Sequence, residues 1–314
     1  MIRRLVVIVI VLAIIGFGAF WLLTAPRTFA AADLPDHAPD VANGEYIFSA
    51  GGCASCHAAP GATGDDLLKL GGGLVLKTPF GDFHVPNISP DKATGIGEWS
   101  ALDLVNAMKR GVDNEGVHLY PAFPYTSYQR MTFEDILDLK GYLDTLPAVD
   151  NAVPETALAF PFSFRRGLGL WQLLYVDGKS FVPDPAATDV VNRGAYLIEG
   201  PGHCTQCHSP RNFYGGIIAS REYSGAPLAA GEGSASNITP DNDTGIGTWS
   251  LAEIVGLFKT GFLPDFDVVG GDMVPVQREL AKLTAEDQQA MAEFLKSLPA
   301  IHSDYKATKA GGMM

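Results

Sequence analysis

Cys53-Ala54-Ser55-Cys56-His57 and Cys204-Thr205-Gln206-Cys207-His208 are two copies of one short string, and the rest of the chain is organised around them. Two thiols three residues apart, followed at once by an imidazole, form the attachment pattern of c-type haem. One turn of chain brings both sulfurs to neighbouring edges of a porphyrin, where they form thioethers with its vinyl groups, and the histidine swings under the iron. A C-x-x-C pair alone also suits a redox disulfide or half of a zinc site. All four cysteines of the chain lie in these pairs and each pair is followed by His, which favours haem. The expectation is two covalent haem c groups, one on Cys53, Cys56 and His57, the other on Cys204, Cys207 and His208.

Each motif precedes, at nearly the same distance, a second repeated string. Asn87-Ile88-Ser89-Pro90-Asp91-Lys92-Ala93-Thr94-Gly95-Ile96-Gly97-Glu98-Trp99-Ser100 is matched by Asn237-Ile238-Thr239-Pro240-Asp241-Asn242-Asp243-Thr244-Gly245-Ile246-Gly247-Thr248-Trp249-Ser250. Such a repeat signals a duplicated unit rather than one unit with two prosthetic groups. Ser100 with Asp103, and Ser250 with Glu253, read as capping boxes of helices that stop at Gly111 and Gly261. Thr132 and Thr284 open two further helices, expected to end at Leu146-Pro147 and Leu298-Pro299. Gly44-Glu45-Tyr46-Ile47 and Gly194-Ala195-Tyr196-Leu197 read as short helical stretches ahead of the motifs. The order is helix, haem motif, glycine-rich loop, helix, ligand loop, helix, twice over, with little strand. Asn87 and Asn237 match a glycosylation sequon but are read as turn formers.

Met1-Ile2-Arg3-Arg4 precedes an uncharged apolar run from Leu5 to Leu23, long enough for a bilayer that needs roughly 20 residues. The arginines stay on the cytoplasmic side, which places the remainder in the periplasm. A cleaved signal peptide competes, with Thr28-Phe29-Ala30-Ala31-Ala32 as a cleavage-like site, but the run exceeds the usual core of about 7–15 residues and favours a retained anchor in the inner membrane. Acidic residues outnumber basic ones 35 to 22, which argues against nucleic acid and suits a basic docking face on a partner. Residues 148–187 form a linker in which Phe160-Pro161-Phe162-Ser163-Phe164-Arg165-Arg166 leads into Leu168-Gly169-Leu170-Trp171-Gln172-Leu173-Leu174-Tyr175. That short helix suits a membrane surface, a partner, or a place between the two haem units.

The duplicated strings, with His118-Leu119-Tyr120-Pro121-Ala122-Phe123-Pro124-Tyr125 in the first half, resemble the cytochrome c subunits of bacterial membrane-bound alcohol, gluconate and aldehyde dehydrogenases. Members of that family commonly have three haem domains, whereas this chain has two. The resemblance implies a class I cytochrome c fold for each unit; with the apolar run already read, the expectation is a mainly α protein of two tandem domains, at 38–147 and 188–302, behind an N-terminal transmembrane anchor at 1–30. It implies electrons passed from a periplasmic dehydrogenase subunit or a respiratory complex to a quinone, cytochrome or terminal oxidase.

The sixth ligands decide between carrier and enzyme, because a closed iron has no position for substrate. Gly270-Gly271-Asp272-Met273-Val274-Pro275 holds Met273 where a class I cytochrome carries its axial methionine; the alternative is a core filler. In the first half many relatives carry Met where this chain has Phe123. Met131 is then the nearest replacement, with a helix-start core role as its alternative, and His118 is the runner-up. Met108 falls mid-helix and reads as buried packing. Trp99 and Trp249 suit either a haem propionate or the core. An open first iron would instead give a peroxidase-like dihaem enzyme.

Overall fold

The computed structural model describes residues 1–231, 233–303 and 305. The apolar run becomes α1 (Ile2–Leu23), 22 residues long with no buried side chain, and it is long and apolar enough to cross a membrane, as a signal segment also would be. The first unit follows with α2 (Val41–Ala50), α3 (Cys53–His57), an antiparallel hairpin of β1 (Val75–Thr78) and β2 (Gly81–His84), α4 (Ala101–Arg110), α5 (Tyr125–Tyr128) and α6 (Phe133–Leu143). The intervening segment forms α7 (Leu168–Tyr175). The second unit has α8 (Asp189–Glu199), α9 (Thr205–His208), the small pair β3 (Ala226–Pro227) and β4 (Ser234–Ala235), α10 (Leu251–Thr260), α11 (Met273–Leu280) and α12 (Ala285–Ser297). The fold is mainly helical.

The caps read from sequence are formed. The Ser100 and Ser250 hydroxyls accept from the Asp103 and Glu253 amides, and those carboxylates accept from the serine amides, satisfying donors that a helix start leaves unpaired. Gly111 and Gly261 end α4 and α10 at φ 60° and 79°, a left-handed turn that glycine adopts without a Cβ clash. Helix α6 stops at Leu143, short of the expected Leu146, because the chain tightens into i→i+3 bonds from Thr145 to Tyr142 and from Leu146 to Leu143.

In each unit the first and last helices cross closely, α2 on α6 and α8 on α12. Glycine makes this possible: a Cβ at Gly44 would overlap the Asp138 carbonyl, and one at Gly194 the Ala290 carbonyl. Around the crossings lie two apolar clusters, one including Ile47, Phe48, Val105 and Ile136, the other Leu197, Ile198, Ile254 and Met291. Burial of each such side chain contributes about 1.5–3 kcal/mol against chain entropy. The long repeated string closes a ring at the edge of each cluster. Asn87 Nδ2 donates to Val149 O at 2.7 Å and Asn237 Nδ2 to Ile301 O at 2.7 Å, tying the string to the chain beyond the last helix.

The units are joined reciprocally. The Tyr46 hydroxyl donates to Asp287 and accepts from the Thr284 amide at the start of α12. The Tyr196 hydroxyl does the same with Asp135 and Thr132 at the start of α6. Each unit thus caps the last helix of the other with the same tyrosine.

Candidate functional site

Helix α3 begins after Gly52, whose φ of 58° turns the chain sharply so that Cys53, Cys56 and His57 follow in one turn. In the second unit His203 takes this left-handed role at φ 40°, a conformation that costs a non-glycine residue roughly 1–2 kcal/mol. Contacts from the first unit hold it there: its Nε2 lies 3.3 Å from Gly51 O and its ring meets Tyr128 edge-on at 5.5 Å.

The two motif histidines are set alike. Nδ1 of His57 lies 2.9 Å from Pro86 O, and Nδ1 of His208 lies 2.7 Å from Ser236 O. A carbonyl can only accept, so Nδ1 carries the proton and Nε2 presents its lone pair. Burial pulls both imidazoles below their ordinary pKa, which keeps them neutral. A neutral ring fixed through Nδ1 is what an iron needs from its proximal ligand.

The thiols are the opposite of redox-active ones. Burial pushes Cys53 and Cys204 up to about 12, and raises Cys56 and Cys207 as well. All four hold their protons at neutral pH, whereas a disulfide-exchange C-x-x-C works through a depressed thiol. Cys56 and Cys207 still reach solvent, so each is hemmed in by protein and open on one side, the setting of a crevice wall. The donor set, the tautomers and this half-open setting fit covalent haem c.

The two motifs lie near each other. After burial, the next influences raising Cys56 are the neighbouring Cys207 and Asp272. Gln206 Nε2 donates to Thr126 Oγ1 at 3.0 Å and Ser127 Oγ at 2.9 Å, so α5 of the first unit lies on the C-x-x-C-H turn of the second.

Of the expected distal groups, Met273 opens α11, half-buried against the second cluster. Single bridges Val112–His118 and Phe262–Val268 align the two ligand loops, and five residues beyond them Phe123 stands where the second unit has Met273. Met131 immediately precedes the Thr132 cap of α6 and is wholly enclosed in the first cluster; Leu283 holds the same place before Thr284. Its side chain packs as the apolar residue ahead of a cap, and the Lys109 ammonium donates to its carbonyl at 2.6 Å. His118 Nε2 lies 2.8 Å from Thr24 O at the end of α1 and so donates there, which leaves the lone pair of its buried Nδ1 without a hydrogen-bond partner among the described residues. Met108 is core, as expected. Trp99 and Trp249 are half-buried against their clusters, and neither indole N–H has a hydrogen bond among the described residues.

Sequence reasoning did not find the Pro86 and Ser236 carbonyls, Tyr128, His203 or the tyrosine caps. The repeat held the signal for the last of these, since Tyr46 and Tyr196 occupy the same place in it.

The family model for cytochrome c matches residues 41–147. The chain is 44% identical to a dihaem cytochrome c-type protein of Cereibacter sphaeroides, over 92% of this chain and 95% of that one. It is 36% identical to the fructose dehydrogenase cytochrome subunit of Gluconobacter japonicus, over 84% of this chain and 54% of the subunit. It is also 36% identical to the gluconate 2-dehydrogenase cytochrome c subunit of Pantoea cypripedii, over 89% of this chain and 64% of the subunit. The chain thus spans nearly all of the first relative and between half and two thirds of the dehydrogenase subunits. These relatives lend no support to a peroxidase.

Proposed function

The chain belongs to the cytochrome c family, and from that premise we propose that it is a membrane-anchored, periplasmic carrier with two haem c groups, moving electrons from a dehydrogenase to a quinone, cytochrome or terminal oxidase. The single observation that carries this reading is the pair of C-x-x-C-H turns, each with its histidine Nδ1 held by a backbone carbonyl. The proposal takes 38–147 and 188–302 as tandem class I domains, joined by the linker 148–187. When bound, haem c supplies a one-electron iron couple.

The residues divide the work. Cys53 with Cys56, and Cys204 with Cys207, would hold the groups through thioethers, while His57 and His208 would offer Nε2 to the irons. Met273 would close the second iron, its thioether raising the potential relative to bis-histidine ligation. Phe123 has no donor, so Met131 is taken as the residue that would close the first, with His118, whose Nδ1 keeps its lone pair, as the second candidate. Trp99 and Trp249 offer their free indole N–H groups to propionates.

Retention of α1 is supported by what its cleavage would remove. Thr24 holds His118, and Phe29 packs edge-on against Phe133 at 5.1 Å beneath the Arg110 guanidinium. Loss of residues 1–30 would strip both contacts from the first unit.

The test is stoichiometric. Alkaline pyridine spectra of the purified full chain should give two haem c per polypeptide. Cys53→Ala with Cys56→Ala should leave one, and so should Cys204→Ala with Cys207→Ala. A wild-type value of one or none would overturn the dihaem reading.

A further inference from the structure

Helix α7 is amphipathic in the wrong sense for a water-exposed helix. Leu170, Leu173 and Leu174, spaced i, i+3 and i+4 on one face, are exposed, Leu174 by 71%. The inward face carries Gly169 and Gln172. Gly169 is there for contact: a Cβ would come within 2.6 Å of Thr24 Cα. Gln172 Nε2 donates to Gly111 O at 3.0 Å, satisfying a buried amide. In water the polar face of a surface helix turns outward. Here leucines do.

The chain leading into α7 adds to the same apolar surface. Phe160, Phe162 and Phe164 are exposed, Phe160 by 85%. Scattered apolar residues need no explanation, but a contiguous set at one place does.

What covers this set follows from its attachment to the end of α1. Arg166 Nη2 donates to Trp21 O at 2.6 Å and its Nε to Thr24 Oγ1 at 3.0 Å, while its guanidinium lies 4.4 Å over the Trp21 ring. Phe164 stacks on Phe20 at 6.0 Å. Phe20 and Trp21 lie in the last turn of the span, where a transmembrane helix leaves hydrocarbon for headgroups and where aromatic and arginine side chains concentrate. The clasp fixes the 160–174 segment at that depth. Its exposed leucines and phenylalanines are therefore continuous with the lipid-facing surface of α1.

We propose that α7 and residues 160–164 seat in the acyl-chain and headgroup boundary of the bilayer, giving the protein a second lipid contact that holds the first unit at a fixed angle to the membrane. The proposal rests on the anchor reading and deepens it. A single helix alone would leave the haem units free to swivel. A clasped seat, with Gly169 on Thr24, His118 on Thr24 and Arg166 on Trp21, makes span and first unit one body.

The test separates the seat from the anchor. In the haem-loaded protein the native cysteines are thioethers, so one added thiol takes a benzophenone selectively. Leu12→Cys, Phe162→Cys, Leu174→Cys and Lys259→Cys are each labelled, reconstituted alone into phosphatidylethanolamine–phosphatidylglycerol vesicles, irradiated and weighed intact. All four positions are exposed, so the labels leave the clusters untouched. Phospholipid adducts at 162 and 174 in yields close to that at 12, and several-fold above that at 259, are the expected result. Adducts at 12 but only background at 162 and 174 would refute the seat and keep the anchor, turning the patch over to a protein partner. Background at 12 with adducts at 162 and 174 would support the seat and refute the span. Background at all positions would refute both.

Discussion

Alanine at Gly194 and at Gly256 should move stability in opposite directions, although both glycines are interior to helices of the second unit. In α8 a Cβ at Gly194 would overlap the Ala290 carbonyl and stand 2.9 Å from the Met291 amide nitrogen. These are backbone atoms of α12, which cannot rotate aside as a side chain does. Forcing an extra methyl into a packed crossing costs about 1–3 kcal/mol, and a rigid backbone obstacle puts Gly194→Ala at the upper end. Alanine recovers about 1 kcal/mol of helix propensity, leaving a net loss of about 2 kcal/mol, or roughly thirtyfold in the folded-to-unfolded ratio. Around Gly256 in α10 there is nothing within 4 Å of the added methyl. Gly256→Ala should therefore gain about 1 kcal/mol. Gly44→Ala, facing the Asp138 carbonyl with Tyr142 Cβ 2.8 Å away, should behave as Gly194→Ala does. Urea unfolding of the haem-loaded protein in mild detergent, followed by circular dichroism, reads the midpoints at constant slope. A midpoint for Gly194→Ala at or above wild type would refute the close-crossing argument, because no other feature of the site opposes the substitution.

Tyr46→Phe and Tyr196→Phe each delete a hydrogen bond to a carboxylate between the units and should each cost about 1.5–3 kcal/mol in the same unfolding assay; a loss confined to one of them would break the reciprocity. Asp138 and Asp287 are both held below the ordinary carboxylate pKa. Burial alone would raise them, but hydrogen bonds from Asn43, Asp40 N–H and His37 to the former, and from Arg193 and Tyr46 to the latter, outweigh it. Depressed carboxylates stabilise fully above their unfolded pKa of about 4 and lose that contribution as pH falls through the lower folded values. The stabilisation that Arg193 gives Asp287 should therefore be full above about pH 5 and shrink below about pH 4, so the urea midpoint of Arg193→Met should lie below wild type at neutral pH and converge on it in acid; a constant gap between the two profiles would count against the linkage. Lys109, fully buried, donates to Gln129 O at 2.7 Å and Met131 O at 2.6 Å, so Lys109→Met orphans two carbonyls and should cost at least about 2 kcal/mol; a neutral result would mean the 129–131 turn is held by other bonds.

Local rules made much of the fold readable. Ser100 with Asp103, Thr132 and Gly111 act through atoms within a few residues, and the helices begin and end accordingly. The repeat located both motifs because their chemistry needs adjacent residues. What stayed hidden depends on distance in sequence. Tyr46 was visible as a repeated tyrosine, but nothing local says that its hydroxyl caps a helix 238 residues away. Nothing near His118 says that its Nε2 donates to Thr24, 94 residues earlier, so that only Nδ1 keeps a lone pair. Helix α7 was legible as amphipathic, yet periodicity cannot say which face turns inward; Gly169 and Gln172 do so because only a bare Cα and a long amide fit Thr24 and Gly111. Equivalence of Phe123 and Met273 also needed the two bridged loops, since the flanking residues differ.

With both irons closed, as proposed, the protein would carry electrons and offer no open position to a small substrate. Carbon monoxide binding to the reduced full chain tests it, with Met131→Leu as the decisive variant. Leucine is the residue at the matching place in the second unit, Leu283, so it keeps the packing ahead of the α6 cap and removes only the sulfur. Wild type should bind little carbon monoxide, while Met131→Leu should fold as wild type and bind one equivalent at the first haem. Stoichiometric binding by wild type at one haem would contradict the carrier, and a Met131→Leu protein as inert as wild type would take the ligand role away from Met131.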